Sequence, residues 1–100
     1  MTVDEAIKEA AARGIKGFPE PSRLTHVRVW PAHVGKWVAE VGEPPHNLTV
    51  GELHATREEA REAALAHLEE VRKTFLASLP EDLARLAEPL PELVINEWEQ

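Results

Sequence analysis

Apolar residues fall on every second position in three stretches of the first half of the chain, which is the spacing of a half-buried strand. In the first stretch Val27 and Val29 share one face, and Trp30 lies on the other. Gly35 lies between the first two stretches and predicts a hairpin, whereas Gly51 predicts a bulge or a close backbone approach within the third. The predicted strands cover residues 24–30, about 36–41 and 48–55.

Further along the chain, apolar residues recur every three or four positions, which is the spacing of an amphipathic helix. The longest such stripe predicts a helix over 57–78, and Thr56 and Glu59 form a capping box that satisfies free backbone amides at its start. Pro80 ends this helix or begins another, and a short helix is predicted over 81–87. The stripe consists of Ala60, Ala64, His67, Leu68, Val71, Phe75 and Leu79.

The N-terminal segment has the same helical spacing over a shorter length. Thr2 and Glu5 form a second capping box, and Gly14 is placed to end the helix in the left-handed conformation. The predicted helix therefore covers about 2–13. The stretch 16–23, which contains two prolines and a glycine, is predicted to be a connector.

These elements predict an α+β fold with two layers. A three-stranded antiparallel meander and a C-terminal strand over 92–98 pack on one long helix, and the N-terminal helix is an addition to this sandwich. We predict a single domain with one modest core, because two cores would be too small to hold in 100 residues. Residues 1–23 form the helix and connector, and residues 24–100 form the sandwich.

Composition excludes several classes of function. The chain has no Cys, which excludes disulfides, thiolate zinc sites and cysteine nucleophiles. No apolar run is long enough to span a membrane, and the first residues lack the pattern of a signal peptide, so we expect a cytoplasmic protein without a membrane partner. Scarce Asn and Gln with abundant Arg and Glu resemble the residue usage of thermophiles.

The net charge of −7 comes entirely from the second half of the chain. Residues 1–50 carry 6 basic and 6 acidic side chains, whereas residues 51–100 carry 5 basic and 12 acidic ones. A nucleic-acid surface requires the opposite sign, so we expect no direct nucleic-acid partner. The acidic half suits a basic protein partner, or serves solubility alone.

Five histidines raise the question of metal binding or general-base chemistry. His46 and His54, with Glu43 or Glu52, could form a zinc-like cluster if the loop between them folds back. Surface histidines are the favoured interpretation. The sequence contains neither a catalytic serine motif nor a glycine-rich phosphate loop, and we therefore predict no enzyme activity, no bound metal and no cofactor.

The tryptophans of the predicted hairpin are candidates for binding a partner. A helix covers one face of a two-layer sheet, and a large aromatic side chain on the other face commonly marks an interface. Trp30 lies opposite the valine face, whereas the face of Trp37 depends on a strand register that the sequence leaves open, and a core position is an equal alternative. The predicted partner-binding residues are Trp30, Trp37, Leu48 and Val50.

The stretch 27–71 resembles the core of the HicB-like antitoxin family. It contains a hairpin step of glycine, aromatic residue, valine and alanine, then a proline-rich turn, a glycine in the third strand, and T-x-E-E-A-x-x-A at the start of a long helix. These features fall on Gly35, Trp37, Val38, Ala39, Pro44, Pro45, Gly51, Thr56, Glu58, Glu59, Ala60 and Ala63. With a proline-flanked C-terminal strand, the resemblance covers about residues 24–98.

The resemblance implies a partial RNase H-like fold and a non-catalytic module. It implies two partners, namely a second copy of the chain and a small basic toxin that cleaves RNA. The DNA-binding segment that such antitoxins often add is not found in the sequence, so regulation at DNA is not expected. The alternatives are a stand-alone homo-oligomeric protein without a toxin and a His/Glu metal-binding protein.

Overall fold

The computed structural model describes residues 3–88 and 90–98, except for the side chain of Val34. It confirms the predicted α+β class, with a four-stranded sheet against a long helix. The helices are α1 (Val3–Ala12), α2 (Arg57–Ser78) and α3 (Glu81–Ala87), and the strands are β1 (His26–Pro31), β2 (Trp37–Val41), β3 (Leu48–Thr49) and β4 (Val94–Glu97). Short 3-10 turns cover Pro21–Leu24 and His33–Gly35.

The sheet has the strand order β3-β2-β1-β4. The first three strands form the predicted antiparallel meander, in which Val29 lies opposite Ala39. The chain then crosses the sheet as α2 and returns as β4, which runs parallel to β1 and places Ile95 beside Val27. The predicted C-terminal strand is therefore an edge strand next to β1.

Three predicted strands have wrong boundaries. The C-terminal strand covers Val94–Glu97 and not 92–98. The first strand begins at His26, because residues 21–24 form a 3-10 turn whose last side chain, Leu24, is buried. The third strand ends at Thr49, because Gly51 has a φ of 69° that turns the chain out of the extended conformation. The chain touches β2 once more at His54, whose N–H and C=O both bond to the backbone of Trp37 at 2.8 Å.

The predicted helix ends are confirmed where the structure describes them. The Thr56 hydroxyl accepts a hydrogen bond from the N–H of Glu59 at 3.1 Å and caps α2. Gly14 has a φ of 84° and closes the end of α1, since its N–H and that of Ile15 bond to carbonyls of the last turn at 3.0 Å. The predicted capping role of Thr2 lies outside the described residues.

The prediction of one core is wrong, because the buried residues form two clusters along α2. The sheet cluster lies between the sheet and the first half of α2, and the helical cluster joins the second half of α2 to α1 and α3. The sheet cluster consists of Val27, Val29, Ala39, Val41, Ala60, Ala64 and Leu68. The helical cluster consists of Val3, Ala6, Ala10, Leu24, Phe75, Leu79, Leu83 and Ala87.

The N-terminal helix is an addition to the sandwich, as predicted, and its buried residues belong to the helical cluster. Its apolar stripe, with Ala6 and Ala10 fully buried, packs against α3 and the end of α2. The molecule is elongated as a result, with principal-axis extents of 48 × 22 × 17 Å.

Candidate functional site on the open face of the sheet

The two faces of the sheet have different surroundings. Helix α2 packs on β1 and β2 from one side, which is the side of the sheet cluster. We call the other side the open face. Since side chains alternate along a strand and paired residues share a face, the register determines its members. The open face carries His26, Arg28, Trp30, Val38, Glu40, Thr49, Val94, Asn96 and Trp98.

A buried carboxylate organises the centre of the open face. Glu40 is only 6% exposed and lies opposite Arg28 in the register. Its Oε1 accepts hydrogen bonds from Trp30 Nε1 at 3.0 Å and from Arg28 Nη1 at 3.2 Å, and its Oε2 accepts one from Asn47 Nδ2 at 2.8 Å. These three donors offset the cost of burying the charge, and they hold the indole of Trp30 in one orientation.

A second tryptophan lies at the edge of the same face. The guanidinium of Arg28 lies 5.2 Å from the ring centroid of Trp98, which is cation–π distance. The backbone N–H of Trp98 donates to the carbonyl of Val29 at 2.9 Å and ties this residue to β1, although its side chain is 43% exposed. The open face therefore presents two positioned tryptophans joined by an Arg–Glu pair.

The structure separates the four residues that the sequence predicts to bind a partner. Trp30 lies on the open face, opposite the valine face as predicted. Trp37 and Val50 pack against the sheet cluster on the other face. Leu48 lies opposite Val41 at the end of β3, with its side chain exposed. These residues therefore do not form one surface.

The sequence did not predict the hydrogen-bonded cluster around Glu40 at the centre of the open face. Glu40, Arg28 and Asn47 come from β2, β1 and the loop before β3, so no local spacing connects them. The one available signal was alternation, which places Arg28 and Trp30 on the same side of the first strand. Their contact with Glu40 depends on the register, which the His33–Gly35 turn determines.

The histidines have separate environments. His54 Nε2 lies 3.2 Å from the carbonyl oxygen of Val50, whereas His46 is exposed in the loop. His26 pairs instead with Glu43, at 2.9 Å between Nε2 and Oε1. Over residues 3–88 and 90–98, no group of three His, Asp or Glu side chains could hold a metal ion. The described residues thus do not bring His46 and His54 together in a metal-binding cluster.

A groove of about 490 Å³ opens between the connector and α2 at the helical end of the molecule. Phe18, Phe75 and Val71 line it, and His67 and Glu70 belong to its polar wall. The rings of Phe18 and Phe75 meet edge to face, with centroids 5.7 Å apart. This groove is built by the helical cluster and is separate from the open face.

Comparison of the chain with protein-family models, curated protein sequences and solved structures gave no match. In the part of the chain that the structure describes, no helix is both long and apolar enough to cross a membrane. The functional interpretation therefore depends on the open face and on the sequence resemblance.

Proposed function

We propose that this protein is a non-catalytic, HicB-like interaction module that neutralises a small basic RNA-cleaving toxin by binding it through the open face. The order of elements, three antiparallel strands, a long helix and a returning strand, supports the resemblance. The family's T-x-E-E-A-x-x-A pattern lies at the start of α2, where Thr56 caps the helix.

The observation that carries the proposal is the pair of tryptophans on the open face. Trp, Tyr and Arg supply most of the binding energy in protein interfaces, and rigid side chains lose little entropy when a partner binds. Trp30 is fixed by Glu40, and Trp98 stacks with Arg28, so both rings are positioned before any partner arrives. Preorganisation of this kind is typical of a binding surface.

The charge distribution supports a basic partner. Two arginines of α2 are engaged within the molecule, since Arg61 pairs with Glu97 at 3.1 Å and Arg72 donates to the carbonyl of Pro91 at 2.9 Å. Carboxylates on the same helix are exposed on the other side of the sheet from the open face, so with the net charge of −7 they attract a basic protein to the chain as a whole. The exposed glutamates of α2 are Glu58, Glu59, Glu62, Glu69 and Glu70.

The proposal is tested by co-expression with a small basic protein encoded beside this chain, followed by co-purification and titration calorimetry. We expect a stable complex, and we expect Trp98→Ala to weaken it by roughly tenfold or more, as truncation of an interface tryptophan does. Leu86→Ala is the matched control, because Leu86 is 51% exposed on α3, away from the open face. Absence of a complex, or equal affinity of both variants, would contradict the proposal.

A further inference from the structure

The two edges of the sheet differ in how well they are protected. Edge strands expose unpaired N–H and C=O groups, and proteins usually shorten, bend or charge them to prevent pairing with another chain. Strand β3 is protected in this way, since it has two residues and Gly51 turns the chain away directly after it. Strand β4 at the opposite edge has four residues in a regular ladder with β1.

The backbone of β4 has free hydrogen-bonding groups along its outer side. The N–H groups of Val94 and Trp98 donate to β1, to the carbonyls of Thr25 and Val29, at 2.8 and 2.9 Å. Because successive residues of a strand direct these groups to opposite edges, Ile95 and Glu97 direct theirs away from β1. Beyond β4, the residues that the structure describes contribute no further strand to the sheet.

Each face of the sheet has an exposed apolar side chain at this edge, beside the polar Asn96 and Glu97. Val94 is 42% exposed on the open face, and Ile95 is 45% exposed on the helix face. Leu93 and Trp98, which flank the strand, are exposed to a similar degree. Residues 94–97 include neither lysine nor proline, the residues that most often protect an edge.

We infer that β4 pairs antiparallel with β4 of a second copy of this chain, about a twofold axis near the middle of the strand, so that the two four-stranded sheets become one. A twofold contact closes on itself, and both copies use the same surface. The free N–H of Ile95 then donates to a carbonyl of the second copy, and the free C=O of Ile95 accepts from one of its N–H groups.

A second copy can pair at this edge without bringing like charges together. With the axis at Ile95, Glu97 lies opposite Leu93 of the second copy, and with the axis at Asn96 it lies opposite Ile95 of the second copy. In neither register do two carboxylates face each other. Glu97 is already neutralised on its own chain by Arg61 at 3.1 Å, so an acidic chain can pair here with itself.

The inference requires only the fold and does not depend on toxin binding. It is tested by sedimentation equilibrium of the full chain across the micromolar range, where we expect twice the chain mass of 11.2 kDa. Ile95→Glu places a carboxylate opposite another carboxylate in both registers, and should raise the dimer dissociation constant by at least roughly tenfold. Leu86→Glu makes the same chemical change at an equally exposed site and should leave the mass unchanged.

A monomeric wild-type chain at every concentration would overturn the inference, as would equal masses for the two variants. If circular dichroism shows that Ile95→Glu does not fold, amide hydrogen exchange of the wild-type chain tests the pairing of β4 instead. We expect the amides of Ile95 and Glu97 to be protected in concentrated samples and to exchange faster on dilution. Rapid exchange of both amides at every concentration would also overturn the inference.

Discussion

The two ends of the molecule use one helix in different ways. At the sheet end, α2 contributes Ala60, Ala64 and, nearer the middle of the helix, Leu68, and these side chains pack with the valines of β1 and β2. At the other end α2 contributes Phe75. Leu79 is the first residue after α2, and both side chains pack where α2 meets α1 and α3. Small side chains let a helix lie close to a sheet, whereas large ones fill the wider space between helices. The apolar stripe of α2 therefore has its small residues against the sheet and its largest residue, Phe75, against the other helices.

This division explains the shape of the chain. Its radius of gyration is 14.9 Å, against about 13 Å for a compact domain of 100 residues. Two small cores on a shared helix replace one larger core, and neither contains many residues. The continuity of α2 is the main physical link between them, so damage to either end should be measurable in the stability of the whole.

The largest expected effect on stability comes from truncating a large buried side chain in the helical cluster. Phe75 is 2% exposed and packs against Phe18, so Phe75→Ala should lower the free energy of unfolding by about 3–5 kcal/mol through lost burial and a cavity. Urea denaturation followed by circular dichroism measures this. Thr74→Ala, at the adjacent exposed position, should change stability by less than about 0.5 kcal/mol. Similar losses in the two variants would show that the helical cluster is not a core.

A smaller loss of stability is expected from a larger side chain in the sheet cluster. Ala64 is fully buried between α2 and the sheet, so Ala64→Leu should force the layers apart and cost about 1–3 kcal/mol. Ala66→Leu on the exposed side of the same helix is the control for helix propensity and should be nearly neutral. If Ala64→Leu unfolds at the same urea concentration as this control, the close helix–sheet contact is contradicted.

The smallest effect concerns the ion pair that ties α1 to α3 at the helical end. Arg13 donates to both carboxylate oxygens of Asp82, at 3.2 and 2.9 Å, and these bonds hold the pKa of Asp82 below its ordinary value of 3.8. A carboxylate with a lowered folded-state pKa stabilises the protein above its unfolded-state pKa, and this contribution is lost as the pH falls through the folded-state pKa. Because both groups are exposed, the contribution is small.

We therefore expect Arg13→Gln to melt slightly below the wild-type protein at neutral pH, and we expect the two melting temperatures to converge below about pH 4. Thermal unfolding from pH 2 to 7 measures the difference. A difference that stays constant across this range would mean that Arg13 acts through packing and not through Asp82.

The sequence predicted the elements whose signals are local. Helix α2 begins after the Thr56 cap and ends before Pro80, and α3 begins directly after Pro80, as these signals predicted. The valine face of β1 follows from alternation and is buried as predicted. These features require information from a few adjacent residues only, which is why the predictions were right.

Features that depend on distant residues could not be predicted in this way. Whether α1 packs into a core depends on its meeting Phe75 and Leu83, which are far away in the chain. The face of Trp37 and the contact of Arg28 with Glu40 both depend on strand register. Alternation predicted a C-terminal strand, but the exposure of both its faces and its outer edge follows from the sheet order alone.

We propose that the open face masks an RNA-cleaving toxin, and titration of the toxin's RNA cleavage with this protein tests this most directly. We predict that cleavage stops when the protein reaches stoichiometric amounts, and that Trp98→Ala requires roughly tenfold more protein, whereas Leu86→Ala does not. RNA cleavage that continues undiminished in an excess of the wild-type protein would contradict the account.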